Sequence, residues 1–329
     1  MVSIKDVAAE AGVAISTVSK VLNNYPNVTE KTKIKVNRAV EKLNFVPNSV
    51  AAALSSKQAG RVAILMNWSM ESTAMNEISM QYLSGAITKA KDLHLDVIML
   101  FSSMFEGQSV GEITRYLQSQ SITGMILFGL SKEDTVLLEL VESQKFKCVV
   151  VDAPMVNEST SSLSVDHEKA QYEVARKTIE GSDVKEVLYI AGTKSYFFTN
   201  SRLKGIKRLC EDKNLNLTIK YGELSERKAR NITLKYGNTT DAVICASDLM
   251  AIGAMKALID MDVFHPVSGF DGLMLMGYVG KQMNTVKLDF FNIAGLAVQE
   301  IQLLLNGEAG REIVTDYELV RLTYEDIIR

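Results

Sequence analysis

The chain has 329 residues, 47% hydrophobic and 23% charged, which excludes a single small domain, disorder and a low-complexity polymer, and fits about two or three folded domains. No apolar run approaches the roughly 18 residues that cross a bilayer, and Met1-Val2-Ser3-Ile4-Lys5-Asp6 has no apolar leader, so the expected compartment is the cytoplasm, with no membrane partner. Cys148, Cys210 and Cys245 are far apart and odd in number, which indicates neither a disulfide framework nor a thiolate metal site; no metal or cofactor is expected. A net charge of -3 hides a polarised chain: residues 1–60 carry 8 cations against 4 anions, and the remainder carries 28 against 35. A basic segment on an acidic body points to a polyanionic partner.

Ser3-Ile4-Lys5-Asp6 reads as a helix cap, with the Ser hydroxyl on a free N–H and an acid in the first turn. Ile4, Val7, Ala8 and Ala11 share one face, and Gly12 sits where a left-handed C-terminal cap belongs. After Gly12-Val13-Ala14, residues 15–23 are again helical, with Val18, Val21 and Leu22 inward and Ser16, Thr17, Ser19, Lys20 and Asn23 outward. Thr29 then caps a longer helix with apolar Ile34, Val36, Val40 and Leu43. Two short helices joined by a tight glycine turn and backed by a third make a helix-turn-helix, whose second helix fits the major groove of DNA. The small outer side chains let the backbone approach base edges, and Lys, Ser and Thr donate hydrogen bonds there.

Ile4-Lys5-Asp6-Val7-Ala8, Ala11-Gly12-Val13, the run Ser16 to Asn23 and Leu43-Asn44-Phe45-Val46-Pro47-Asn48 resemble the N-terminal DNA-binding signature of the lactose/galactose repressor (LacI/GalR) family. The resemblance implies a dimeric regulator with base-reading positions at Ile15, Ser16 and Lys20 and backbone contacts at Thr17, Ser19 and Asn23. It departs at Ala14, where members usually place a capping Ser. It also implies that the Ala-rich stretch from Asn48 to Lys57, too short to be a stable helix alone, becomes a hinge helix on DNA. There Leu54 is the minor-groove wedge, with Asn48 and small Ala51 beside it. Ala52 stands where an Arg is common.

Beyond Gly60, apolar runs alternate with amphipathic helices. Strands are expected at 62–66, 96–101, 124–128, 148–151, 186–191, 217–221, 242–246 and 267–270, a pattern of parallel sheets in doubly wound α/β lobes and too many strands for one sheet. Ligands sit at the carboxyl ends of such strands, which singles out Asp152, Ser247, Asp248 and Asp271, with Arg202 in Ser201-Arg202-Leu203-Lys204-Gly205. Carboxylates and a guanidinium hydrogen-bond adjacent hydroxyls in pairs, as sugar recognition requires. A helix cap is the equal alternative for Asp152 and Asp248. Trp68, the run Tyr196-Phe197-Phe198 and Phe290 are candidate stacking aromatics, Phe198 being the choice within the run.

The resemblance extends loosely over this region. Arg-x-x-Gly at Arg202 and Gly-Phe-Asp at Asp271 match the family's effector motifs. It implies a periplasmic-binding-protein-like body whose lobes are joined by three crossovers. The expected organisation is a helix-turn-helix domain at 1–46, a hinge at 47–60 and an effector-binding and dimerisation body at 61–329. Its N-lobe spans about 61–160 and 290–312, and its C-lobe about 161–289 and 313–329.

Enzyme signals are poor. His94, His167 and His265 are isolated and read as structural, and Gly107-Gln108-Ser109-Val110-Gly111 lacks the strand that a nucleophile elbow needs immediately before it. The expected function is a sequence-specific repressor, not an enzyme, that acts as a homodimer on a near-palindromic operator under a sugar or phosphosugar effector. The rival is a sugar-binding protein or sugar-modifying enzyme with a structural helical head.

Overall fold

The computed structural model describes residues 2–22, 28–43, 45, 60–66, 73–279 and 281–322. The expectations for Asn23, Asn48, Ala51, Leu54 and Trp68 lie outside those residues. Two compact units form, Met1–Ala59 and Gly60–Arg329.

In the first unit, α1 (Ile4–Ala11), α2 (Ile15–Leu22) and α3 (Glu30–Lys42) surround a core of Val7, Ala8, Ala11, Val18, Val21, Val36 and Ala39. The Asp6 carboxylate caps α1, accepting from both the backbone N–H and the hydroxyl of Ser3 at 2.8 Å. Ser3 and Asp6 thus form a reciprocal capping box at the start of the helix, as the sequence pattern suggests. Gly12, at φ +64°, ends the helix, and the Val13 N–H returns to the Ala8 carbonyl at 3.1 Å. At Ala14 no side chain caps α2. Its carbonyl instead accepts from the Thr17 and Val18 N–H groups. Of the apolar positions expected on α3, Ile34 is exposed and Val36 is buried, with Ala39 joining Val36 in the core.

The second unit holds two six-stranded sheets. The strands of the first are β1 (Arg61–Met66), β2 (Val97–Phe101), β3 (Ile122–Phe128), β4 (Lys147–Val151), β5 (Thr160–Val165) and β11 (Glu312–Thr315), in the order β11-β5-β4-β3-β1-β2 and all parallel. The second sheet comprises β6 (Glu186–Ala191), β7 (Asn216–Tyr221), β8 (Ala242–Cys245), β9 (Val267–Ser268), β10 (Met283–Lys287) and β12 (Glu318–Leu322). Its order is β12-β10-β9-β8-β6-β7, with only the β10–β12 pair antiparallel.

Helices α4 (Thr73–Asp92), α5 (Val110–Ser119), α6 (Thr135–Glu142) and α11 (Phe290–Leu305) accompany the first sheet. Helices α7 (His167–Ile179), α8 (Phe197–Lys213), α9 (Glu226–Tyr236) and α10 (Asp248–Asp260) accompany the second. The chain passes between sheets after β5, after β10 and after β11. Two of these passages correct the expected lobe borders. Position 160–161 falls inside the first sheet, because β5 pairs with β4, and β11 pairs with β5 out to Thr315.

Strand β5 escapes the sequence pattern because Thr-Ser-Ser-Leu-Ser-Val carries hydroxyls where a buried strand is expected to be apolar. The serine hydroxyls at its centre are satisfied internally. Ser162 donates to the Ala153 carbonyl at 2.8 Å, and Ser161 donates at 2.8 Å to Glu300, a buried acid on α11 held also by Arg311 at 2.6 Å.

Gly205 controls how closely α8 lies on α7: a Cβ there would collide with the Glu168 carbonyl oxygen. Gly205→Ala is expected to destabilise the body by about 1–3 kcal/mol through overpacking, read as a lowered urea midpoint at unchanged m-value, and an unshifted midpoint would contradict the close crossing.

Candidate functional site

Two surfaces carry recognition chemistry. On α2, Ile15 (44% exposed), Ser16 and Lys20 face solvent within the first unit, while Thr17 and Ser19 are half-buried beside the Val18 and Val21 anchors. The helix thus presents a short polar face with a cation and one apolar side chain, suited to base edges and a thymine methyl. Lys33 and Lys42 are paired with Glu30 and Glu10 at 2.7 Å.

The second surface lies at the carboxyl ends of both sheets. Its centre is Arg202 on α8. The guanidinium Nε donates to His167 Nδ1 at 3.3 Å, Nη1 to the Ala246 carbonyl, and Nη2 approaches Asp271 Oδ1 at 3.5 Å. Its plane lies over Phe270 at 3.5 Å and Phe198 at 4.6 Å from the ring centroids. Because Arg Nε only donates, His167 Nδ1 must accept, so the neutral ring carries its proton on Nε2 and donates it to Asp152 Oδ1 at 2.9 Å. Asp152 follows β4 in the first sheet and His167 opens α7 against the second, so this hydrogen bond joins the two lobes. Two more contacts close the rim: the Lys132 N–H donates to the Ser195 carbonyl at 2.9 Å, and the Met274 N–H to Glu77 at 3.2 Å.

The two facing carboxylates share an unusual backbone. Asp152 has φ +60° and Asp271 φ +117°, conformations that side-chain-bearing residues adopt at a cost of roughly 1–3 kcal/mol and that gather at functional sites. Both are held by main-chain bonds, Asp152 N–H to Leu163 and Asp271 N–H to Val286, at 2.9 and 2.8 Å.

Residues 3–48 match the family model described as "Bacterial regulatory proteins, lacI family". The chain is 27% identical to the HTH-type transcriptional regulator RegA of Clostridium saccharobutylicum, covering 97% of each chain. It is 26% identical to catabolite control protein A of Staphylococcus aureus (strain MRSA252), covering 93% of each. Residues 3–48 are a lacI-family domain, and the similarity to these regulators runs over nearly the whole chain. In fold, the chain is similar to the crystal structure of the lac repressor dimer bound to operator and the anti-inducer ONPF (TM-score 0.79, 23% identity, 98% of each chain). It is likewise similar to the transcriptional regulator CelR–cellobiose complex (TM-score 0.67, 20% identity, 98% of this chain and 99% of that one). It is a helix-turn-helix DNA-binding regulator with a two-lobed, periplasmic-binding-protein-like body.

Within this regulator the expected effector residues separate by position. Asp152, Phe198, Arg202 and Asp271 meet in one cluster. Asp248 is wholly buried behind it, accepting from the Thr285 hydroxyl at 2.6 Å and the Leu273 N–H at 2.7 Å, which fixes the loop bearing Asp271. Ser247 is the N-cap of α10, bonded to the Met250 N–H. Phe290 is buried against Tyr82 at 5.2 Å, an edge-on core contact, with no open stacking face. Ser109 caps α5 and donates to Glu112 at 2.7 Å, as a loop-then-helix position predicts.

Sequence reasoning misses His167, Tyr82 and Phe270. Asp166-His167 follows directly on β5, so recognising that strand would place His167 at a carboxyl end beside the other candidates.

Burial governs the electrostatics. It holds the His167 imidazole below its usual value against the opposing pull of Asp152, and raises the Tyr82 phenol far above its own. Burial and then the Asp271 charge push the Asp248 carboxyl well up. Burial likewise pushes Asp271 from 3.8 to about 7, against the lowering pull of Arg202. The unfolded chain releases the Asp271 proton first. This group's contribution to stability is therefore full below pH 3.8 and is lost as pH rises to about 7. Asp271→Asn is expected to flatten that decline in a series of denaturation midpoints between pH 4 and 8, and an unchanged slope would contradict the assignment.

Proposed function

We propose that this chain is a repressor that acts as a homodimer, its two copies of α2 entering successive major grooves of a near-palindromic operator. Ile15, Ser16 and Lys20 read bases, and Thr17, Ser19 and Asn23 meet the backbone. Asn48, Ala51 and Leu54 belong to a hinge that orders on the duplex. A small sugar-like effector binds between lobes of about 61–165 with 290–315, and 167–287 with 318–329. The operator and anti-inducer bound by the lac repressor dimer, and the cellobiose bound by CelR, support this reading by fold likeness.

The observation that carries it is the pairing of an exposed, cation-bearing α2 face with a body whose two lobes meet at the Arg202–His167–Asp152 link. An effector that prefers one lobe arrangement shifts DNA affinity only through its differential affinity for that arrangement. The chain works by binding without turnover, and its DNA target places it in the cytoplasm.

The test is fluorescence anisotropy of the full chain on duplexes recovered by selection from a random pool. With about six phosphate contacts, affinity is expected to fall roughly a thousandfold from 50 to 200 mM salt. Lys20→Ala is expected to lose about 1–3 kcal/mol of discrimination at one base pair of each half-site. Equal affinity for selected and random duplexes would overturn the reading. In a thermal-shift screen of sugars, the stabilising response is expected to vanish in Arg202→Ala.

A further inference from the structure

Strand β7 is an open edge: it ends the second sheet and pairs with β6 alone. The Asn216 and Gly222 N–H groups donate to the Lys185 and Ala191 carbonyls on the β6 side, both at 2.8 Å. The alternation of a parallel ladder therefore turns the main-chain groups of Leu217, Ile219 and Tyr221 outward, and among the described residues nothing pairs with them. The side chains divide by face. Ile219 lies in register with Tyr189, whose hydroxyl reaches Gln171 on α7, so Leu217, Ile219 and Tyr221 form a half-buried apolar row on the α7 face. Lys220 points the other way, its ammonium 4.6 Å from the centre of the Tyr236 ring on α9, and Lys235 approaches the same ring at 5.3 Å. Lys228 and Arg230 of that helix are paired with Glu223 and Asp260, whereas Lys220 and Lys235 have no carboxylate partner among the described residues. The two lysines hold the Tyr236 phenol below its usual value, Lys220 being the larger influence. The wider setting is basic: residues 197–236 carry 10 cations against 4 anions, while the rest of residues 61–329 carries 18 against 31.

We propose that β7 takes up an acidic, extended segment of another protein as an added strand. Acids at alternate positions of that segment face Lys220 and Lys235, and the apolar residues between them continue the row of Leu217, Ile219 and Tyr221. An open edge meets the backbone donors and acceptors of such a segment together, and the lysines select its charge. Lys220 also decides against other occupants. A second copy of the same edge brings lysine against lysine, which is the usual guard against edge-to-edge pairing. A DNA backbone offers acceptors only, so the outward carbonyls of β7 stay unmet, and Lys194 and Lys220 already cover Tyr221 and Tyr236, the rings on which bases would stack. None of these residues belongs to α2 or to the Arg202 cluster, so this partner is additional to operator and effector.

The experiment uses the full chain and a blocked peptide of about seven residues that alternates Glu and Val, with a peptide carrying Lys in place of each Glu as the control. Binding is followed through the Ile219 methyl resonances and backbone pairing through hydrogen exchange. The acidic peptide is expected to bind saturably and, when bound, to slow exchange at the Leu217, Ile219 and Tyr221 amides at least about tenfold. The lysine peptide is expected to do neither. Lys220→Glu is expected to weaken the acidic peptide at least about tenfold by setting like charges against each other, with the helical content of the chain unchanged. Ile219→Pro removes one outward donor while sparing the β6 ladder, since that N–H faces away from β6, and is expected to weaken binding to a similar extent. No saturable shift with the acidic peptide, or binding that leaves the three amides exchanging as before, would overturn the proposal. So would random-sequence duplex DNA whose affinity falls in Lys220→Glu as far as the peptide's does, a result that assigns the edge to nucleic acid.

Discussion

A guanidinium removed from water is stable only where its charge and donors are met, and Arg202 is met on every side. Each of its contacts fixes something else. The hydrogen bond to His167 selects the imidazole tautomer, and that tautomer aims a proton at Asp152 in the other lobe. The approach to Asp271 stabilises a carboxylate on a backbone conformation that few side chains tolerate. Stacking on Phe270 draws the loop after β9 against α8, while Asp248 holds that loop from behind. Gly205, one turn along the helix from Arg202, permits the helix crossing that delivers the guanidinium to His167. The Arg-x-x-Gly spacing therefore has a mechanical meaning: one residue makes the contacts, and the other lets the backbone come close enough.

Much of the fold was legible because its strands are short apolar runs and its first helices carry explicit stop signals. Gly12 adopts the left-handed conformation its position called for, and α1 and α2 begin where the spacing of Ile4 and Ile15 put them. What stayed hidden had the opposite chemistry. Strand β5 buries serines that bond to Glu300 and Ala153, a solution that draws on an acid more than a hundred positions away and leaves no periodicity to read. Strand β10, Met-Asn-Thr-Val-Lys, is likewise mixed in polarity, and β12 belongs to the second sheet only through its antiparallel pairing with it.

The site was half legible for the same reason. Asp152, Arg202 and Asp271 followed from strand ends and local motifs, since their positions depend on nearby sequence. His167 did not, because its place beside Arg202 depends on β5 and on the α7–α8 crossing. Asp248 and Ser247 show the converse: a polar residue after a strand can serve the backbone of its own lobe, and only the tertiary bonds to Thr285 and Leu273 tell the two roles apart.

The most direct test of the account is the operator affinity of ligand-free Asp152→Asn against the unaltered chain, at one salt concentration, on the same selected duplex. Asp152 belongs to the body and the reading helix to the other unit. If the lobe link sets the DNA-competent state, affinity changes by about fivefold or more, in keeping with an allosteric coupling of roughly 1–3 kcal/mol, while the helical content of the chain stays constant. Equal affinity in the two proteins, with the variant body folded, would contradict it.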